Sequence, residues 1–206
     1  GILLISDLLR EDAGSAIADT GKATSQTYGY LATEVLNRQP WEIRRFLRIS
    51  STLREMSVRL CRGVLDIEEA SFLLTEVERC NLFITRFGED RGASYRYHNL
   101  FRDFLQEHLH QQDPDLYARL HQRAAAWFER EHQVEEAIHH YLTAEIYAGA
   151  TGLMERVALE WFTRGRVETL LSWADALPPE IKRQAPRLLL YQSKVLTDCY
   201  QYDRAR

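Results

Sequence analysis

No apolar run in this 206-residue chain approaches the roughly 18 residues a membrane-spanning helix requires. Runs such as Gly1 to Ile5 and Leu188 to Tyr191 fall far short, and no signal peptide is visible. Cysteine is scarce: Cys61, Cys80 and Cys199 are odd in number, widely spaced and free of any CxxC pair. That excludes a disulfide framework and a paired-thiol metal site, and the three read as buried, reduced thiols of a cytoplasmic protein. Positive charge is not in excess either. With 26 Lys and Arg against 30 Asp and Glu, the net charge of −4 speaks against a general nucleic-acid surface. The remaining composition, 45% hydrophobic and 27% charged, is that of an ordinary folded protein with room for one large or two small domains.

Catalytic motifs are equally sparse. Gly21-Lys22-Ala23-Thr24-Ser25 resembles a phosphate loop only superficially: the positions needing Gly and Ser or Thr hold Ala16 and Ala23. No buried strand precedes it. His108 and His110 are two residues apart and would face opposite sides of a helix, while His139 and His140 are adjacent with no third ligand in register. Neighbouring carboxylates, Glu68-Glu69 and Glu135-Glu136, read as solvated helix faces, and no Ser or Cys lies in a nucleophile motif. The chain is therefore not expected to be an enzyme by itself, and neither catalytic nor metal-ligating residues are assigned.

What is present is a succession of amphipathic segments. Residues 2–11 resemble the end of a helix, and Asp12 to Gln26 a polar loop. Tyr30, Leu31, Val35 and Leu36 mark a short helix ended by Asn37 and Pro40. Pro40 opens the next, with Trp41, Ile43, Phe46, Leu47 and Ile49 as its apolar face. A third helix is expected over 57–64. A fourth is expected to be N-capped by Asp66, with Phe72, Leu73, Val77 and Cys80 inward, and ended by a left-handed Asn81. LFITRF (82–87), GEDRG (88–92) and ASYRY (93–97) predict strand, turn and strand. A further helix follows, with Leu100, Phe101, Phe104, Leu105 and Leu109 at helical spacing. Helices followed by a hairpin and another helix predict a winged-helix domain. Its core should contain Trp41, Phe46, Leu73, Val77, Leu82, Phe101 and Phe104.

His98 stands where the second strand meets that helix, a junction at which free N–H groups can hold an anion. The alternative is a junction histidine that only hydrogen-bonds nearby backbone. Reading of DNA by the winged helix itself is disfavoured, because Asp66 to Cys80 holds five acids and one base, Arg79, for a sum of −4.

Beyond Asp113-Pro114-Asp115 the pattern is purely helical and recurs. Trp127-Phe128 returns as Trp161-Phe162, 34 residues on; Val134-Glu135 returns as Val167-Glu168, 33 on; Tyr202-Asp203 follows after another 35. A period near 34 is that of tetratricopeptide-like helix pairs, with Trp127 and Trp161 expected in equivalent positions. The fold class is thus mainly α: a winged helix followed by tetratricopeptide-like repeats.

Four segments in order, YGYLATEVLNRQP (28–40), RRFLRISSTL (44–53), LLTEVERCNLF (73–83) and YRYHNLF (95–101), resemble the central region of the large ATP-dependent LuxR-type bacterial transcriptional regulators. These STAND-class NTPases are typified by the maltose regulator. The resemblance continues through LHQRAAAWFE (120–129), EEAIHHYLTA (135–144), ADALP (174–178) and PRLLLY (186–191). It implies residues 1–27 as the end of a nucleotide-binding region, 28–113 as the winged helix, and 114–206 as the first repeats of a superhelical sensor. The parent would be a slow ATPase switch holding ATP or ADP with Mg, and it would bind DNA only through a separate C-terminal domain. Its other partners would be its own remaining domains and an unknown small-molecule or protein inducer, with no membrane. By position, His98 matches the class histidine that approaches an ADP phosphate and holds the resting state closed. Many members have a second His where this chain has Asn99. A start at Gly-Ile-Leu-Leu and an end at QYDRAR, inside an expected helix, fit an excised piece of such a parent. The competing functions are a stand-alone helical-repeat adaptor and, least favoured, a DNA-binding winged-helix repressor.

Overall fold

The structure is a computed structural model that describes Gly29, residues 32–88 and residues 92–204. The expectations for residues 1–27, for Tyr30 and Leu31, and for the side chain of Cys199 lie outside the described residues. The chain divides into two compact units, Gly1–Arg44 and Arg45–Arg206.

In the first unit, helix α1 is described over 32–37 and buries Ala32 and Leu36. Helix α2, Trp41–Ser50, begins there after Pro40 and runs into the second unit. Its buried stripe is Ile43, Phe46, Leu47 and Ser50, spaced at i, i+3, i+4 and i+7. Trp41, expected inward, is 61% exposed, because it lies about 200° around the helix from Ile43.

In the second unit, α3 (Val58–Leu65) starts on an N-cap, Ser57, whose hydroxyl accepts from Leu60 N–H. Asp66 does not start the next helix as expected. It ends α3 in a left-handed conformation (φ 60°), donating its N–H to Arg62 C=O, while buried Ile67 donates back to Cys61 C=O. That is a Schellman-type stop with its hydrophobic contact. Helix α4 (Ala70–Arg79) begins after Glu69 and buries Ala70, Leu74 and Val77. This stripe leaves Phe72 64% exposed and Leu73 and Cys80 only half-buried, against expectation. Asn81 ends the helix with φ 49°, as expected. Buried Cys61 is an inert thiol, which loss of water pushes up to about 12.

Strands β1 (Ile84–Phe87) and β2 (Ser94–Tyr97) form the antiparallel wing, with Ile84 opposite Tyr97 and Phe87 opposite Ser94. Met56 extends the ladder by exchanging both backbone bonds with Tyr95, each 2.8 Å. Helix α5 (Asn99–Gln112) buries Phe101, Leu105 and Leu109. Leu100, one residue off this stripe, is exposed, and Phe104 is half-buried.

The rest is helix pairs: α6 (Pro114–Arg130) with α7 (Val134–Thr143), then α8 (Tyr147–Thr163) with α9 (Val167–Asp175). A short α10 (Pro179–Lys182) and α11 (Pro186–Arg204) follow. Both first members have 17 residues, and their starts and ends are 33 residues apart. Each link is three residues with a left-handed centre, His132, Glu145 or Gly165. In those links Gln133 N–H bonds Phe128 C=O and Arg166 N–H bonds Trp161 C=O, at 2.8 and 2.9 Å. The repeat is therefore real but its register is 33, so Trp161 corresponds to Phe128 and not to Trp127. Phe128 and Trp161 are each 7% exposed, whereas Trp127 is half-buried. The rings they pack against, His140 at 5.3 Å and Trp173 at 4.5 Å, are also 33 residues apart. No helix among the described residues is long and apolar enough to cross a membrane.

Candidate functional site

The junction at His98 is built from buried aromatic and backbone contacts. Tyr97, at the end of β2, is buried, and its phenol oxygen lies 2.8 Å from Ser50 Oγ. Loss of water raises that phenol well above the usual tyrosine range, so it stays neutral. His98 N–H donates to Phe83 C=O at 2.8 Å, and His98 C=O accepts from Phe101 and Arg102 N–H at 3.0 Å each. Phe83 holds its carbonyl there from a left-handed backbone (φ 54°), rare for an aromatic residue, and its ring packs 4.9 Å from that of Phe101.

These bonds lock the main chain of His98 at the N-cap of α5 while its side chain remains exposed and makes no capping bond. The backbone-only reading of the junction thus holds for its amide and carbonyl, and the imidazole is left for another partner. A histidine at a helix start with no side chain capping it can offer an N–H to a phosphate oxygen, aided by the helix dipole.

A second feature was not legible in the sequence. Helix α6 of the first repeat packs on α3 of the winged helix at Gly63. A Cβ on Gly63 would overlap the Trp127 ring, so the two helices approach as closely as they do because residue 63 has no side chain. Around this contact, Arg59 bonds Glu131 through both carboxylate oxygens at 2.8 Å, and Arg54 reaches Glu136 at 3.2 Å. The Trp127 ring lies 5.4 Å from the Arg59 guanidinium and 5.5 Å from that of Arg130. Gln106 donates to Ser51 C=O at 2.6 Å, and Arg48 to Gln112 at 2.7 Å. Winged helix and first repeat thus share a packed joint. Gly63→Ala is expected to destabilise the chain by about 1–3 kcal/mol by overpacking, although alanine inside a helix normally gains up to about 1 kcal/mol over glycine. Chemical denaturation reads the sign directly, and a stabilised variant would remove Trp127 from the joint.

The sequence also concealed a buried histidine pair between α6 and α7. His121 Nδ1 and His140 Nδ1 are 2.9 Å apart, both residues are buried, and neither Nε2 has a hydrogen-bond partner. Burial pushes His121 down to about 4 and His140 to about 2. In the 33-residue register they stand where the next repeat has Met154 and Trp173, so they are core positions. Among the described residues no group of three or more His, Cys, Asp or Glu could hold a metal.

Residues 32–117 match the family described as the MalT winged helix domain. The chain is 30% identical over 203 residues to the HTH-type transcriptional regulator MalT of Cronobacter sakazakii, covering 97% of this chain and 22% of that protein. It is 31% identical over 182 residues to MalT of Klebsiella pneumoniae, covering 88% and 20%. It is also 30% identical over 179 residues to the serine/threonine-protein kinase PknK of Mycobacterium tuberculosis, covering 87% and 16%. The chain thus spans about a fifth of the length of the curated relatives it matches. Residues 32–117 thus match the MalT winged helix domain family, and the likeness to the MalT regulators continues through the helical repeats beyond.

Proposed function

We propose that this chain is the central regulatory segment of an ATP-dependent LuxR-family transcriptional regulator in the cytoplasm. The winged helix, on this reading, relays the nucleotide state of a separate ATP-binding module to the helical repeats, which sense a small-molecule or protein inducer. The observation that carries the proposal is the joint itself: α3 and α6 pack through Gly63 and Trp127, so a displacement of the winged helix is passed to the first repeat. Support also comes from the relatives. The same segment occurs in proteins named for transcription and for kinase activity, as suits a control element and not an output.

His98 is the nucleotide contact in this reading. The bound nucleotide would supply phosphate oxygens, and His98 would donate to one of them and hold the ADP-bound resting state. The chain's own candidate phosphate loop fails its motif, so ATP or ADP with Mg would be held mainly by the parent's other domain, and DNA by a third. Losing one charge-assisted bond costs about 1.5–3 kcal/mol, which moves a two-state switch roughly ten- to a hundred-fold. His98→Ala in the full-length protein is expected to weaken ADP retention by that factor and to raise inducer-free transcription. Unchanged values of both in a folded variant would return His98 to a purely structural role.

A further inference from the structure

We infer that the cleft beside the joint, whose lining does not include His98, is a binding site for a small molecule bearing a phosphate group. The cleft has a volume of about 590 Å³, within the range of pockets that hold small ligands. The first turns of two helices open into it, α3 through Ser57, Arg59 and Leu60 and α5 through Asn99 and Arg102. Four guanidinium groups line it, those of Arg54, Arg59, Arg96 and Arg102, against two carboxylates, Glu55 and Glu136. The lining therefore carries a net charge of +2 from these six groups.

The four arginines are not equally engaged. Arg96 holds Glu55 through two nitrogens at 2.6 and 3.0 Å, and Arg59 holds Glu131 through both carboxylate oxygens. Arg54 has a single contact of 3.2 Å to Glu136. Arg102 has the least: its head reaches only Asp103, its sequence neighbour, at 3.3 Å, and its Nε is closed off from solvent without an acceptor. The Arg102 head is thus under-engaged for a charged donor, and an oxyanion with several acceptor oxygens bonds such a guanidinium more strongly than a neutral acceptor would. Phosphate suits this set, because its oxygens can take terminal N–H groups of Arg102 and the free positions of Arg54 together, with the α3 and α5 N-termini adding to the field. The half-buried Trp127 forms part of the wall, so the remainder of the ligand meets the accessible part of its indole.

The test is a titration of the whole chain with inorganic phosphate and with phenyl phosphate, at ionic strength held constant with chloride, following arginine Nε–H signals by NMR. Both phosphates are expected to shift the Arg102 signal saturably, phenyl phosphate at several-fold lower concentration because its ring packs on Trp127. Arg102→Gln should weaken binding at least ten-fold, and Arg164→Gln, an exposed surface arginine paired with Glu160, should not. If Arg102→Gln does not fold, Arg54→Gln is expected to weaken binding in its place. A shift no larger than chloride produces, or equal losses in the Arg102 and Arg164 variants, would overturn the site.

Discussion

Phe101→Ala is expected to cost about 3–5 kcal/mol, a large share of the stability of the winged helix. Phe101 is fully buried in α5, and three aromatic rings surround it: Phe83 at 4.9 Å, Tyr97 at 5.9 Å edge-on and Phe104 at 6.3 Å. Truncation removes the transfer free energy of a phenyl ring and leaves a cavity these neighbours cannot fill. Tyr97 is held by Ser50, and Phe83 by a strained backbone whose carbonyl holds the His98 amide. Since whole domains are stable by only about 5–15 kcal/mol, the variant should be close to unfolding at ambient temperature. Denaturant unfolding measures the loss, and a cost below about 1 kcal/mol would mean that α5 turns a different face inward.

Acidification is the second large effect. His121 and His140 are buried neutral and have folded-state values below the ordinary 6.5, so the unfolded chain binds their protons first as pH falls. Their stabilising contribution is complete above pH 6.5 and is lost as pH falls from there toward 4. Between pH 7 and pH 5 the loss should be about 2 kcal/mol for each imidazole, mostly before the carboxylates titrate. The short Nδ1–Nδ1 contact needs one ring to donate and the other to accept, and protonating both would place two like charges in contact. His121→Met, which installs the residue found at the equivalent Met154, should flatten the pH dependence measured by unfolding at pH 7 and pH 5. An unchanged slope in that variant would mean the pair is not what titrates.

Local chemistry made the hairpin, the left-handed Asn81 and the helix pairs legible in the sequence, because each depends on a short run of residues. The Ser57 cap was within reach of the same reasoning. Asp66 was misread because aspartate serves both as an N-cap and as a residue tolerant of left-handed backbone; the buried Ile67 after it decides for the stop. Trp41, Phe72 and Leu100 are apolar residues off the buried stripe, and helical spacing alone does not say which edge of a broad face meets the core. The repeat register slipped by one because the eye follows identical Trp-Phe pairs, while the fold follows burial. For the site, His98 was legible as a junction but not the freedom of its side chain. The joint rests on contacts between residues 63 and 127, with a helix-interior glycine as the only local sign. The histidine pair, 19 residues apart on two helices, gave no sign in the sequence at all.

The most direct test of the coupling between winged helix and repeats is native-state amide hydrogen exchange at Ala124 and Ala125 in α6, compared between the parent chain and Phe101→Ala. Both alanines are fully buried in the first repeat, and Phe101 lies in the winged helix. If Gly63 and Trp127 bind the two parts into one cooperative unit, protection in α6 should fall by as much as the variant loses in global stability. Protection of Ala124 and Ala125 that stays at the parent value while α5 opens would contradict it.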